Sequence, residues 1–293
     1  MYRTINTTTD LSHPVPEERK SEERKARRGL AIFLAVVLLA TAPLLWLVIR
    51  SGKPVEELIV LILPLMWVPA IASVVARVLN HEGFDDISFR LRDKGILLRL
   101  LLAVVFPVIV GVCAYGTAWL AGLATFAAPA ATDNPLLTFL TRLAIVTTIG
   151  PLIGIISAAG EEIGWRGYMT TRLVKANIPA PIVTGGLIWG IWHIPGILSG
   201  QYAAGPYPWI SALFFMGLAI TMTILWSTWR LETGSIWPAI IGHAAWNAII
   251  QGPFDTFTQG EQTAHWVGES GILVVGVAIF VTWLYLRKSY RTR

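Results

Sequence analysis

Apolar residues come in long runs along this chain, and most polar residues fall between them. The first run covers Gly29 to Ile49, and others occupy 58–79, 95–123, 137–160, 180–199, 209–229, 235–251 and 270–286. A helix needs about 20 apolar residues to cross a bilayer, and backbone groups in lipid must find partners within the protein. The pattern therefore predicts an all-α, polytopic membrane protein with about eight transmembrane helices. The run 235–251 is short and holds a histidine and an asparagine. The run 95–123 is long enough to tilt or to break near Pro107. Ala40-Thr41-Ala42 resembles a signal-peptidase site, but the polar lead is long and Pro43 would follow the cut. An uncleaved first helix is expected.

The runs divide the chain into three parts. Residues 1–28 read as a polar cytoplasmic tail, 29–130 as N-terminal membrane helices and 131–293 as the membrane helices that carry the chemistry. Composition agrees, with 54% of residues hydrophobic and 14% charged, against about 25% charged in soluble domains. The formal net charge is +5. The basic residues gather at the ends of apolar runs instead of forming a stripe, so nucleic acid is not an expected partner. The lipid bilayer is. Arg24 to Arg28, Arg77, Arg90, Arg92, Lys94, Arg166, Arg172, Lys175, Arg230, Arg287, Lys288, Arg291 and Arg293 fall on one side, and loops 124–136, 200–208 and 252–269 hold no Lys or Arg. Arg50, Lys53 and Arg142 break the pattern. The positive-inside rule then places both termini in the cytoplasm, at the inner membrane if the source is bacterial. The one cysteine, Cys113, excludes an internal disulfide and reads as a packing residue.

Three polar islands interrupt the apolar second half. The first is Glu161-Glu162-x-x-x-Arg166. Glu162 and Arg166 are i,i+4 neighbours on a helix, while Glu161 points about 100° away. One carboxylate can pair with the arginine while the other faces something else. The second is Trp189-x-x-x-His193, closed by Pro195, and the third is His243-x-x-x-Asn247. Each has a plain alternative: hydrated charges at a helix end, interfacial aromatics with a bonded histidine, or a polar pair bonded across to a neighbouring helix. Together they place a carboxylate pair, two imidazoles and a carboxamide on three helices that must hide them from lipid. Pointing them at one another builds a polar chamber with groups that could activate water and stabilise an oxyanion.

In order and spacing these motifs resemble the CPBP family of CAAX-protease and bacteriocin-processing intramembrane endopeptidases, also called the Abi family. Its eukaryotic branch includes the Ras-converting CAAX prenyl endopeptidase. The likeness covers roughly 150–250. It implies that Glu161 is the general base on water, that His193 helps to position and deprotonate that water, and that His243 and Asn247 donate to the oxyanion. Glu162 and Arg166 would form a supporting ion pair. The family's second motif usually opens with Phe or Tyr, and Trp189 stands there, a change expected to bear on pocket size more than on chemistry. The implied substrate is a membrane-associated polypeptide. The family is often labelled metalloprotease, and Glu161, His193 and His243 could hold zinc with an open position for water. Spacing does not separate the two mechanisms, and we favour the metal-free one, which needs no cofactor. His81-Glu82 is not a zinc motif, because Asp85 stands where a second histidine would be.

Other classes fit less well. The aspartates fall in loops, no Gly-x-Ser elbow surrounds Ser157, and no His-Glu-x-x-His is present. A transporter would carry matching broken helices in both halves, and the first half has no polar islands. A non-catalytic binding or immunity protein keeping the fold is the remaining rival. One tension concerns depth. By these boundaries Glu161 lies near the cytoplasmic end of the fourth helix, while His193 lies about 20 Å along the fifth.

Overall fold

Prolines and a few capping groups set where the helices begin. The computed structural model describes residues 17–91 and 95–291; most of the tail, together with Arg92, Lys94 and Arg293, lies outside the described residues. Helices α1 (Glu17–Ser51), α2 (Ile59–Leu79) and α3 (Ile96–Leu120) come first. The Asn134 side chain accepts the Leu137 N–H at 2.9 Å and Pro135 follows, opening α4 (Pro135–Thr148). Pro151 sits in the first turn of α5 (Gly150–Glu162). It cannot donate to the preceding turn, and the chain bends by 52° there. A π-helical segment (Ile163–Met169) leads from α5 into α6 (Thr170–Lys175). Pro181 opens α7 (Pro181–Leu198), and Pro208 opens α8 (Pro208–Thr233), which stops on left-handed Gly234. Helix α9 (Trp237–Trp246) passes into a second π-helical segment (Asn247–Phe254) that kinks at Gly252. A one-turn α10 (Thr263–Trp266) and α11 (Ile272–Arg291) complete the chain. Two short strands, β1 (Thr125–Phe126) and β2 (Thr258–Gln259), pair antiparallel and tie the loop after α3 to the one before α10.

The fold is all-α and polytopic, as expected, and the chain is an integral membrane protein. Among the described residues six helices are long and apolar enough to cross a membrane, and the bent pair α4 and α5–α6 makes a seventh. The eighth expected span, 235–251, is divided between α9 and its π-helical continuation. The helical region of the first span also starts earlier than its apolar run, at Glu17, so the second part of the expected tail is helical. Pro195 lies inside α7, which ends three residues later. Cys113 is exposed on the outer surface of the bundle, so the expected packing role is not realised.

Helix α9 sits centrally, packed against α3, α5 and α8, while α1 pairs with α2 and α7 with α8. Small residues permit the closest approaches. A Cβ on Gly160 would lie 2.7 Å from the Met66 carbonyl oxygen, and one on Gly164 would lie 2.5 Å from that of Pro69. This Gly-x-x-x-Gly face lets α5 and its π-helical extension lie against α2, the usual device of membrane helices. The arginines at the ends of α2, α6 and α8 converge. Arg77 donates to Asp86 at 2.6 Å, Arg172 donates to Glu82 at 2.5 Å and also to Asp86, and Arg230 donates to the Asp86 carbonyl oxygen at 2.6 Å. Three of the basic residues assigned to one side of the membrane thus meet at one end of the bundle. Arg166, placed with them in sequence, does not join them.

Candidate active site

The chain continues as helix well past the glutamate pair, and this resolves the mismatch in depth. Glu161 lies about 20 Å before the end of α6, and His193 about 18 Å after the start of α7, at ~1.5 Å per residue. The short turn 176–180 joins those two ends, so the two residues come to similar depth. Burial also excludes the hydrated-end alternative: Glu161 is 3% exposed, and Glu162 and Arg166 are 0% exposed. The π-helical segment begins directly after Glu162, and the second begins at Asn247. Such segments displace the helix register by one residue and occur often at functional sites.

Glu161 and Glu162 have different partners, as their angular separation requires. Glu161 Oε2 accepts the indole N–H of Trp189 at 2.8 Å. Glu162 Oε1 accepts from Arg166 Nη1 at 2.9 Å and stands 2.8 Å from His243 Nδ1. The expected ion pair is therefore present, but it does more than brace its own helix. It ties α5 to α9 and sets the orientation of the His243 ring. Carboxylate–imidazole pairing of this type fixes which ring nitrogen faces outward, and here that is Nε2.

Arg166 is held on both faces and at its edge. Its guanidinium carbon lies 4.3 Å from the Trp189 ring centre and 5.0 Å from that of Trp226, and Nη2 donates to Thr223 Oγ1 at 2.8 Å. Trp226 in turn stacks on His243 with centroids 5.2 Å apart and planes 18° from parallel. Gly242 allows this, because a Cβ there would come within 2.8 Å of the Trp226 indole nitrogen. Neither Trp226 nor Thr223 carried a signal in sequence. Each is one residue in an apolar helix, with partners far away along the chain.

His193 Nδ1 lies 2.9 Å from the Trp189 carbonyl oxygen. A carbonyl oxygen only accepts, so Nδ1 carries the proton, and in the neutral ring Nε2 keeps its lone pair. Phe215 and Trp192 lie 4.8 Å from the ring centre, and Tyr202 lies 5.5 Å from it. Aromatic neighbours thus position the ring, which also lines a cavity.

One cavity of about 900 Å³ is lined by Glu161, Trp189, His193, His243 and Asn247 together. Leu45 and Val48 of α1 and Ile62 and Leu65 of α2 add apolar side chains to its lining. Beyond the expected set, Glu269 lines the cavity and accepts from Trp246 Nε1 at 2.7 Å and from Tyr202 Oη at 2.5 Å. Its only sequence signal is a carboxylate beside the last apolar run. Among the described residues, no group of three His, Cys, Asp or Glu side chains is arranged to hold a metal ion. Glu161, His193 and His243 line one cavity without forming such a group, Glu161 Oε2 being taken by the indole.

No curated protein matches the chain. Residues 143–249, about a third of the chain and the part that holds all three polar islands, match the model of a family described as Rce1-like, type II CAAX prenyl endopeptidase, the same group of endopeptidases that the three motifs resemble.

Proposed function

We propose that this protein is an intramembrane endopeptidase that hydrolyses a peptide bond of a membrane-associated polypeptide with a water activated by glutamate and histidine. The observation that carries the reading is that Glu161, His193, His243 and Asn247 line one cavity, to which α1 and α2 add apolar side chains.

In this mechanism Glu161 and the Nε2 lone pair of His193 hold the water between them. The indole N–H of Trp189 fixes one carboxylate oxygen, and the other takes the proton as the water oxygen attacks the peptide carbonyl carbon. The carbonyl π pair moves onto oxygen, and that oxyanion accepts hydrogen bonds from the Asn247 amide and from His243 Nε2–H. Glu162 beside Nδ1 supports the protonated ring that this second donation requires. Collapse of the tetrahedral intermediate breaks the C–N bond, and Glu161 passes its proton to the departing amine. The termini would face the cytoplasm, the side on which the basic loop residues are expected.

The test compares polypeptide termini across the membrane proteome of cells carrying the active protein or its Glu161→Ala variant. New termini that depend on Glu161 and His193, with both variants folded in detergent, would support endopeptidase activity. Identical termini in all three would refute it.

A further inference from the structure

We propose that the end of the cavity formed by Asp255, Glu269 and Ser270 is a subsite for a basic group of the substrate, a lysine or arginine side chain within about three residues of the cleaved bond. The inference rests on the endopeptidase reading and adds to it the chemistry of the substrate.

Three carboxylates line the cavity, Glu161, Asp255 and Glu269, and among the described residues no Lys or Arg does. Even with the His243 ring protonated the lining carries more negative than positive groups, and low-dielectric walls focus such a field on what enters. Glu269 is 8% exposed and held between two neutral donors, Trp246 and Tyr202, each taking one carboxylate oxygen. A carboxylate offers about four acceptor positions, so each oxygen can accept once more. Asp255 accepts from Tyr115 Oη, which itself accepts the Gly268 N–H at 2.9 Å. This fixes the loop before α11 on α3. Beside Glu269 stands Ser270, 4% exposed and lining the same cavity, whose hydroxyl has no hydrogen-bond partner among the described residues. A buried hydroxyl left unpaired is unfavourable, and an N–H group entering from the cavity satisfies it. Two carboxylates and a hydroxyl match the donor-only chemistry of an ammonium or guanidinium.

The spacing is also usable. The Tyr202 ring lies 5.5 Å from the His193 ring, and its hydroxyl meets Glu269 at 2.5 Å. The carboxylate is therefore within roughly 11 Å of His193, a span of no more than about three residues at ~3.3 Å per extended residue.

The experiment immobilises full-length Glu161→Gln protein in detergent and exposes it to a positional-scanning library of amino-terminally acylated octapeptides, with lysine, arginine or norleucine at each position. Peptides with a basic residue at one defined position should be retained at least about tenfold over norleucine. Adding Glu269→Gln should remove the preference, as should Asp255→Asn, which covers the case in which the first variant fails to fold. Ser270→Ala should weaken it. Retention without basic preference, no retention at all, or a preference that survives both acidic substitutions would overturn the subsite. Incubating the retained peptides with wild-type protein separates the two readings. Binding with basic preference but no cleavage refutes the endopeptidase and leaves the subsite standing, whereas cleavage without basic preference does the reverse.

Discussion

The indole N–H of Trp189 donates to Glu161 Oε2 at 2.8 Å. The aromatic that opens the second motif is therefore a direct partner of the proposed general base. The sequence suggests that this residue bears on pocket size more than on chemistry, and the hydrogen bond gives it a place beside the chemistry as well. Phenylalanine keeps the ring and removes the donor. A hydrogen bond to a charged group contributes about 1.5–3 kcal/mol, so Trp189→Phe should lower kcat by about 10- to 100-fold with a smaller change in KM. Steady-state kinetics on a cleaved peptide measure this. An unchanged kcat would show that the indole only packs.

Glu162 and Arg166 should behave as a buried pair. Removing one partner of such a pair leaves a charge without compensation and costs about 3–5 kcal/mol. Glu162→Ala should therefore lower thermal stability in detergent sharply, and it should also free the His243 ring. Arg166→Lys is not a conservative change at this site. The guanidinium is packed between Trp189 and Trp226 and bonds Glu162 and Thr223 from two nitrogens, a geometry that an ammonium does not reproduce. Thermal unfolding followed by tryptophan fluorescence should rank wild type above Arg166→Lys, and Arg166→Lys above Glu162→Ala.

Asp86 gives the end of the bundle an acid-sensitive clasp. Partial burial pushes its carboxyl up, but Arg172 and Arg77 outweigh this and hold it below the ordinary carboxylate value. A carboxyl with a lowered folded-state pKa contributes stability above its unfolded value, near pH 4. That contribution is lost as pH falls through the folded value. Melting temperature should therefore drop below about pH 4. Asp86→Asn should be less stable than wild type at neutral pH by about 1–2 kcal/mol. The gap should close in acid, and a gap independent of pH would remove Asp86 as the cause.

Close packing of α5 on α2 predicts a difference between two nearby glycines. A Cβ on Gly164 would meet the Pro69 backbone, which cannot yield, whereas one on Gly167 would meet the end of the Ile236 side chain at 3.0 Å and the Glu162 carbonyl oxygen at an ordinary contact distance of 3.6 Å. Gly164→Ala should cost about 1–3 kcal/mol and lower activity by displacing Glu161. Gly167→Ala should be tolerated. Melting curves and cleavage rates of the two variants check both parts.

The linear order of residues determined what could be computed from spacing and solubility. Long apolar runs required membrane helices, because lipid offers no partner to a bare backbone. The i,i+4 spacing required Glu162 to meet Arg166 and freed Glu161 for another face. Three islands in an apolar half implied that they meet. Tertiary structure decided the rest, for reasons that local pattern does not contain. The helix carrying Glu161 runs on through its charged stretch, because Glu162 Oε1 and the two terminal nitrogens of Arg166 bond one another, His243 and Thr223 instead of water. An average over hydropathy treats those charges as a helix end. Glu162 also reaches His243, 81 positions away, and the Trp189 indole reaches Glu161, 28 positions away. Such contacts depend on crossing angles and on close approaches at Gly160, Gly164 and Gly242, where the absence of a single Cβ sets the distance between helices.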